Sequence, residues 1–417
     1  MKTIPRILFV SQTALGTSTT NRYIQLCTHL ARNGYRVTLF FIGKGKAAQD
    51  CAIRYPRRIG PVAIRHSAAI PAALLQKTNA VTAVFAAAFL LLTCIPRLLL
   101  ACFRRDVIVL GKPLPLGAFV TLLCAAITRK PVVLDADDWE GVGGFATIKQ
   151  GGNAFAKAVI TFFEEWTPAR CAAVVVVSRL LYERMRYAGV QCRDLFCVPN
   201  GADIERFNPA IDGGPVRTQL SLDDKTVLAY LGTFKPGGAN WRFILDSVHE
   251  VCRCAEKAAL MIIGFGPQLD DARAYAKRLG IEHRVVCAGK VEHECVPQFL
   301  AAADILILPY SADFPDTFIN TGRSSLKLYE YMAMGKPIVA SDIGELHEAL
   351  KDGGGVLVQA NVAPMFGRKI IELINDPAAM RRYGNEARKR AEEKYNYEAL
   401  AKDFAQALDH AAKSRAR

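Results

Sequence analysis

Lys327 and Glu330 stand three residues apart in the stretch Ser324-Ser325-Leu326-Lys327-Leu328-Tyr329-Glu330-Tyr331-Met332-Ala333-Met334-Gly335-Lys336-Pro337. On a helix that spacing puts an ammonium and a carboxylate on the same side. Arg323 adds a second cation just before the stretch, and Ser324 and Ser325 are hydroxyl residues suited to cap a helix that opens at Leu326. A helix N-terminus offers free N–H groups and a partial positive charge, which suits a diphosphate. A cation near phosphates, with a carboxylate able to accept two sugar hydroxyls, makes a nucleotide-sugar site. The plain alternative is a surface Lys–Glu pair on an ordinary helix.

A second group of reactive side chains lies upstream. Asp135-Ala136-Asp137-Asp138-Trp139-Glu140 follows the strand-like run Val132-Val133-Leu134, and Lys112 follows the run Asp106 to Leu110. Polar groups at the carboxyl ends of central strands sit where α/β proteins bind ligands. The Asp135-x-Asp137 spacing also fits a divalent cation. Hydrogen bonding of an acceptor, or orientation of a basic residue, is the preferred reading, and no metal site is assigned. Three glycine-bearing loops complete the set. Gly16 follows Ile7–Val10, Gly232-Thr233-Phe234-Lys235 follows Val227–Leu231, and Gly264-Phe265-Gly266 follows Leu260–Ile263. A strand ending in a glycine-rich, lysine-bearing loop is a phosphate cradle. The Gly264 loop lacks the third glycine of a dinucleotide fingerprint, since Leu269 stands there.

Repeated strand, loop and helix patterns must position these groups. Ile7–Val10, a small-residue loop, a helix over 21–33 ended by Gly34, and Val37–Phe41 make a βαβ unit. In the key stretch, Leu326, Tyr329, Met332 and Ala333 recur at helical spacing, Gly335 ends the helix, and Ile338-Val339-Ala340 is a short buried strand. At 417 residues, 51% hydrophobic and 22% charged, the chain is globular and long enough for two domains. The expected division is an N-terminal Rossmann-like domain over 1–207, a linker over 208–224 rich in glycine and proline, a C-terminal Rossmann-like domain over 225–395, and a final helical segment over 396–417. The twelve cysteines show no metal-ligand spacing and read as apolar fillers of a reducing compartment. The N-terminus enters a strand without a signal peptide, so the expected location is the cytoplasm.

The net charge of +14 is carried entirely by residues 1–206, which hold 26 Lys and Arg against 12 Asp and Glu. A basic half calls for an anionic partner. Aromatic–basic interleaving is absent, which argues against nucleic acid. Within residues 44–105 there are ten basic residues and one acid, beside an apolar run over 81–103. That run has the length of a membrane span, but Pro96 and Arg97 interrupt it. A helix lying in an anionic membrane interface and an ordinary core helix are both expected to fit it.

The stretch from Ser324 to Pro337 resembles the donor-binding signature of the family 4 glycosyltransferases, in the branch whose helix reads Ser-x-Leu-Lys-Leu-Tyr-Glu-Tyr-Met-Ala-x-Gly-Lys-Pro. Pro199-Asn200-Gly201-Ala202-Asp203 through Phe207-Asn208-Pro209 is similar to a second string of that family, and the resemblance covers roughly residues 5–45 and 105–405. It implies an α/β protein of GT-B fold: two Rossmann-like domains facing a central cleft, with the C-terminal domain holding a nucleotide-diphosphate sugar and the N-terminal one the acceptor. It further implies retention of configuration, no metal and no cofactor beyond the nucleotide-sugar co-substrate, and a final segment that crosses back to the first domain.

On that reading Arg323, Lys327, Lys112, Asp137 and Asp138 serve catalysis. Gly16, Gly232, Thr233, Lys235, Gly264, Gly266, Ser324, Ser325, Leu326 and Glu330 bind the donor. The acceptor is expected to be a glycan or lipid-linked sugar of surface-polysaccharide synthesis, met at the anionic inner face of a membrane. Departures from the family pattern are Gly322 where a first Glu is usual, Gly111-Lys112 where a His is common, one glycine at Gly16 where a pair is common, and Thr233 and Gly238 in the places of an Arg and a Lys. They keep two alternatives open: a nucleotide-sugar epimerase of the same fold and an inactive binding protein.

Overall fold

The computed structural model describes residues 5–13, 16–42, 56–67, 80–144, 154–235, 240–311 and 324–414. Arg323, with Gly322 and Gly238, lies outside these residues. The chain divides into two compact units, one built on residues 1–199 with 397–417 and one on residues 200–320 with 325–396.

Runs of Val, Ile and Leu bounded by glycine, proline or polar residues form buried parallel strands, as expected when helices cover both faces of a sheet. The first unit contains β1 (Arg6–Ser11), β2 (Arg36–Phe41), β3 (Arg58–Ile59), β4 (Val62–His66), β5 (Val107–Gly111), β6 (Val132–Ala136), β7 (Ala173–Val176) and β8 (Leu195–Cys197). Their order is β3-β4-β2-β1-β5-β6-β7-β8, and the short β3 alone runs antiparallel to its neighbour. Alternate residues serve the two faces. Ile7, Phe9, Val37 and Val109 pack against the helices Ser18–Arg32 and Tyr397–Ser414. Leu8, Val10, Ile108 and Leu110 pack against Ala80–Phe103 and Pro115–Thr128. Among the described residues no helix is long and apolar enough to cross a membrane. The run 81–103 lies in a 24-residue helix, Ala80–Phe103, that carries Pro96 inside it.

The second unit contains β9 (Thr226–Leu231), β10 (Ala258–Ile263), β11 (Val285–Gly289), β12 (Ile305–Leu308), β13 (Ile338–Ser341) and β14 (Val356–Val358). They lie in the order β11-β10-β9-β12-β13-β14, all parallel. Residues 208–224, expected as a linker, hold a helix at Gly214–Gln219, and Val216 and Leu222 are buried in this unit's core.

Strand order reverses between β1 and β5 in the first sheet and between β9 and β12 in the second. Crevices at the carboxyl ends of strands open at such reversals. The loops that leave β1, β5 and β9 carry Gly16, Lys112, and Gly232 to Lys235.

Candidate active site

In the first unit the β1 loop turns at Gly16, whose φ of +84° is left-handed and suits glycine. Thr17 caps the helix Ser18–Arg32 by accepting from the Thr20 N–H. Hydroxyls of Ser11, Thr13, Thr17 and Thr20 form a chain of bonds of 2.8–3.0 Å. On the next strand over, Gly111 has no room for a Cβ, because the Tyr23 ring would lie 2.5 Å from it. A side chain of any size at 111 would displace that ring. The chain then turns through Lys112 in a left-handed conformation, φ +62°, with its N–H bonded to the Asp135 carbonyl.

Lys112 gathers the carboxylates that follow β6. Its Nζ lies 3.4 Å from Asp137, 3.1 Å from Asp138 and 2.6 Å from Glu140. Burial pulls the Lys112 ammonium down, but Asp137, Asp138 and Glu140 together hold it well above its ordinary value. It stays charged. Asp137 also accepts from the Thr19 hydroxyl at 2.7 Å, tying the cluster to the β1 helix. Asp135, the first acid of the group, points elsewhere: it is fully buried and paired with Arg22 at 3.1 Å. The structure thus unites Lys112, Asp137 and Asp138 in one ion-paired cluster.

Glu164 supports this loop from below. It is fully buried on the helix Ala154–Trp166 and accepts the Glu140 N–H at 3.0 Å, while its second oxygen has no partner among the described residues. Burial pushes its carboxyl up to about 8, and the Glu140 charge adds to this against the Glu140 N–H, Lys112 and Arg184. An acid whose folded pKa is raised contributes stability below its unfolded value, about 4.3, that is lost as pH rises through the folded value. Stability relative to Glu164→Gln is therefore expected to fall by roughly 2–3 kcal/mol between pH 6 and pH 9, several degrees in Tm. Parallel melting curves that keep a constant gap over that range would exclude a protonated Glu164.

In the second unit the helix Leu326–Ala333 is buried nearly all round, with Leu328, Tyr329, Tyr331 and Met332 in the core. Ser325 occupies its N-cap position without bonding to the helix; its hydroxyl pairs with Tyr310 at 3.0 Å instead. Gly335 takes a φ of +63° after the last turn, as its place in the sequence predicts. Lys327 leans over two rings, with its Nζ 4.7 Å from the Tyr230 centroid, 5.3 Å from that of Tyr310, and 3.3 Å from the Tyr230 hydroxyl. Cation–π attraction of this kind fixes an ammonium in direction.

The glycines of the β9 and β10 loops are dictated by contact. A Cβ on Gly264 would stand 1.8 Å from the Gly232 carbonyl oxygen, and one on Gly266 2.2 Å from that of Phe234. A Cβ on Gly232 would reach Lys327 Nζ at 3.0 Å. Gly232, Gly264, Gly266 and Lys327 therefore form one constellation. Thr233 and Lys235 are exposed beside it, and Leu326 is half-buried at the helix start.

Glu330 is buried, and its carboxylate is met by His293 Nε2 at 2.9 Å. No histidine stands out in the sequence as a site residue, so His293 is an addition. It lies in the loop after β11, where the Arg206 guanidinium bonds its carbonyl and the Phe207 ring lies 5.9 Å away. Its place beyond the carboxyl end of a parallel strand is the one signal that sequence reading could have used.

Residues 20–206 match the family model described as Glycosyltransferase Family 4, and residues 225–376 match Glycosyl transferases group 1. Among curated proteins the chain is 30% identical over 196 residues to a D-inositol 3-phosphate glycosyltransferase of Nocardia farcinica, covering 45% of this chain and 41% of that one. It is 22% identical over 191 residues to an alpha-D-kanosaminyltransferase of Streptomyces kanamyceticus, covering 46% and 47%. The chain spans about half the length of the curated relatives it matches. Among solved structures, HepE of Anabaena, in complex with UDP, superposes with a TM-score of 0.71 at 17% identity over 97% of this chain and 99% of that one. Both domains thus match glycosyltransferase models, and the fold is GT-B.

Proposed function

We propose that this chain is a glycosyltransferase that moves a sugar from a nucleotide-diphosphate donor to an acceptor hydroxyl, with retention of configuration and without a metal. The observation that carries this reading is the constellation at the reversal point of the second sheet, where Lys327 sits over Tyr230 against Gly232 and Glu330 is buried one turn on. As the bond to the sugar breaks, negative charge gathers on the leaving diphosphate. Lys327, the N–H groups at the start of its helix and Arg323 would receive that charge. Glu330, held by His293, would accept hydrogen bonds from the ribose hydroxyls. Lys112, Asp137 and Asp138 would position the acceptor from the first domain. A lipid-linked or surface-polysaccharide precursor at the inner face of an anionic membrane is the acceptor class that suits a basic N-terminal half.

A thermal-shift screen of nucleotide sugars would identify the donor, and nucleoside diphosphate release would then be followed with and without lipid-linked acceptor. Release that depends on acceptor supports transfer. Conversion of donor without acceptor would mark an epimerase, and binding without turnover an inactive protein. Glu330→Ala is expected to weaken donor binding by about 1.5–3 kcal/mol, the range for a hydrogen bond to a charged group. His293→Ala is expected to raise the donor KM several-fold with kcat little changed. Both losses should vanish for a donor lacking the ribose hydroxyls; equal losses on that donor would remove the ribose from this account.

A further inference from the structure

Three helices on one face of the first sheet turn apolar side chains outward as well as inward. Pro115–Thr128 contains no charged residue, buries Ala118, Cys124 and Ala125, and yet exposes Phe119, Leu123 and Ile127, the last to 54%. These three are four residues apart, so they form a single stripe. On one side Ala80–Phe103 exposes Leu92 and Leu100, to 77% and 71%. On the other side Ala154–Trp166 exposes Phe155, to 74%, and Phe162. Scattered exposed leucines are ordinary, but contiguous stripes on neighbouring helices mark an interaction surface.

Its rim is basic. Arg97, Arg104, Arg129 and Arg170 are exposed, and Glu164 and Glu165 are the sole acids in the sequence of the three helices, the former fully buried. Beside the Pro115–Thr128 helix lies a groove of about 700 Å³ whose lining includes Phe119, Leu123, Trp166, Arg129 and Arg170. The Arg170 guanidinium lies 3.9 Å over the Trp166 ring, an aromatic and cation pairing suited to a boundary between apolar and polar phases.

We infer that this three-helix face docks on an anionic phospholipid bilayer, with the stripes entering the acyl boundary and the arginines meeting headgroup phosphates. The charge pattern selects this occupant. A second copy meeting the face would bring a second set of the same exposed arginines into one interface with Glu165 as the sole exposed acid of the three helices, whereas an anionic bilayer satisfies the arginines and the apolar stripes together. This deepens the membrane part of the reading above. It concerns helices beyond the 81–103 run and does not use the transfer chemistry.

The test is sedimentation of the full chain with vesicles of phosphatidylcholine alone and with added phosphatidylglycerol, each at low and high salt. Pelleting is expected with the anionic vesicles, weakening as salt rises. The pair Arg129→Gln and Arg170→Gln should lower partition by about tenfold or more. So should Phe119→Ser with Leu123→Ser and Ile127→Ser, whose exposed positions keep the fold; unchanged melting curves check that. Wild type that stays in the supernatant, or variants that pellet like wild type, would overturn the assignment. So would a wild-type dimer that the serine variant dissolves, since a second copy then covers the face. Vesicle binding without sugar transfer would leave the docking face standing and the transfer reading wrong, and the reverse result would separate them the other way.

Discussion

Replacing Lys327 by alanine is expected to lower turnover by about 10²–10³-fold, the usual effect of removing one preorganised transition-state donor. The physical reason is direction. An ammonium on a flexible stem in water must be ordered before it helps a leaving group. Here the Tyr230 and Tyr310 rings and the Tyr230 hydroxyl already hold it, and Gly232 leaves the space it occupies. Those tyrosines are themselves fixed. Tyr230 is packed edge-on against Phe234, Tyr310 is bonded to Ser325, and the neighbouring Leu231 N–H is bonded to the Tyr331 hydroxyl at 2.7 Å. Because Lys327 is half-buried, its loss should leave the melting temperature nearly unchanged. The check is kcat at saturating donor beside donor affinity. A loss confined to KM would make Lys327 a ground-state binder, and a change under tenfold in both would place the diphosphate elsewhere. Combining the substitution with Arg323→Ala should abolish measurable turnover.

The parts of this arrangement that were legible in the sequence are those with a local cause. Val227–Leu231 and Leu260–Ile263 read as buried strands because each apolar run ends at a glycine, and the six-stranded sheet contains both. The Leu326 helix and its Gly335 stop follow from periodicity and a left-handed turn. What was not legible is what the fold brings from a distance. His293 is 37 residues from Glu330 and meets it only because the β11 loop and the Leu326 helix converge. Tyr23 fills the place of a side chain at 111, and nothing near Gly111 in the sequence announces it. Ser325 has the type and place of a cap, but the Tyr310 hydroxyl takes its hydrogen bond. The outward stripes of Pro115–Thr128 were hidden for another reason. A helix without a polar side has no periodic signal that tells which of its apolar faces is covered.

Arg22 was one more basic residue in a basic half, and it carries the largest expected effect on stability. Its side chain is about 1% exposed and Asp135 is fully buried. The guanidinium donates to Asp135 from two nitrogens at 3.2 and 3.1 Å, to the Val198 carbonyl at 2.9 Å and to the Pro199 carbonyl at 2.7 Å. It joins the β1 helix to the end of β6 and to the chain after β8, so the position of the Asp137 cluster depends on it. Removing one member of a buried pair leaves a charge without compensation and costs about 3–5 kcal/mol. Arg22→Met is expected to cost that much, on the order of 10 °C in Tm. Lysine should not rescue it, since one ammonium cannot make four donations in these directions. Burial already pushes the Asp135 carboxyl up, against the pull of Arg22. Without Arg22 its folded pKa rises further, so the variant's stability should be greatest at low pH and fall as pH rises, widening its gap from wild type. Adding Asp135→Leu should recover most of the loss, because an apolar pair replaces a buried ionic one with little net change. Denaturant melts of the three proteins decide it: a loss below about 1 kcal/mol for Arg22→Met, or a double variant no better than the single one, would mean that this pair does not hold the β1 helix to the sheet.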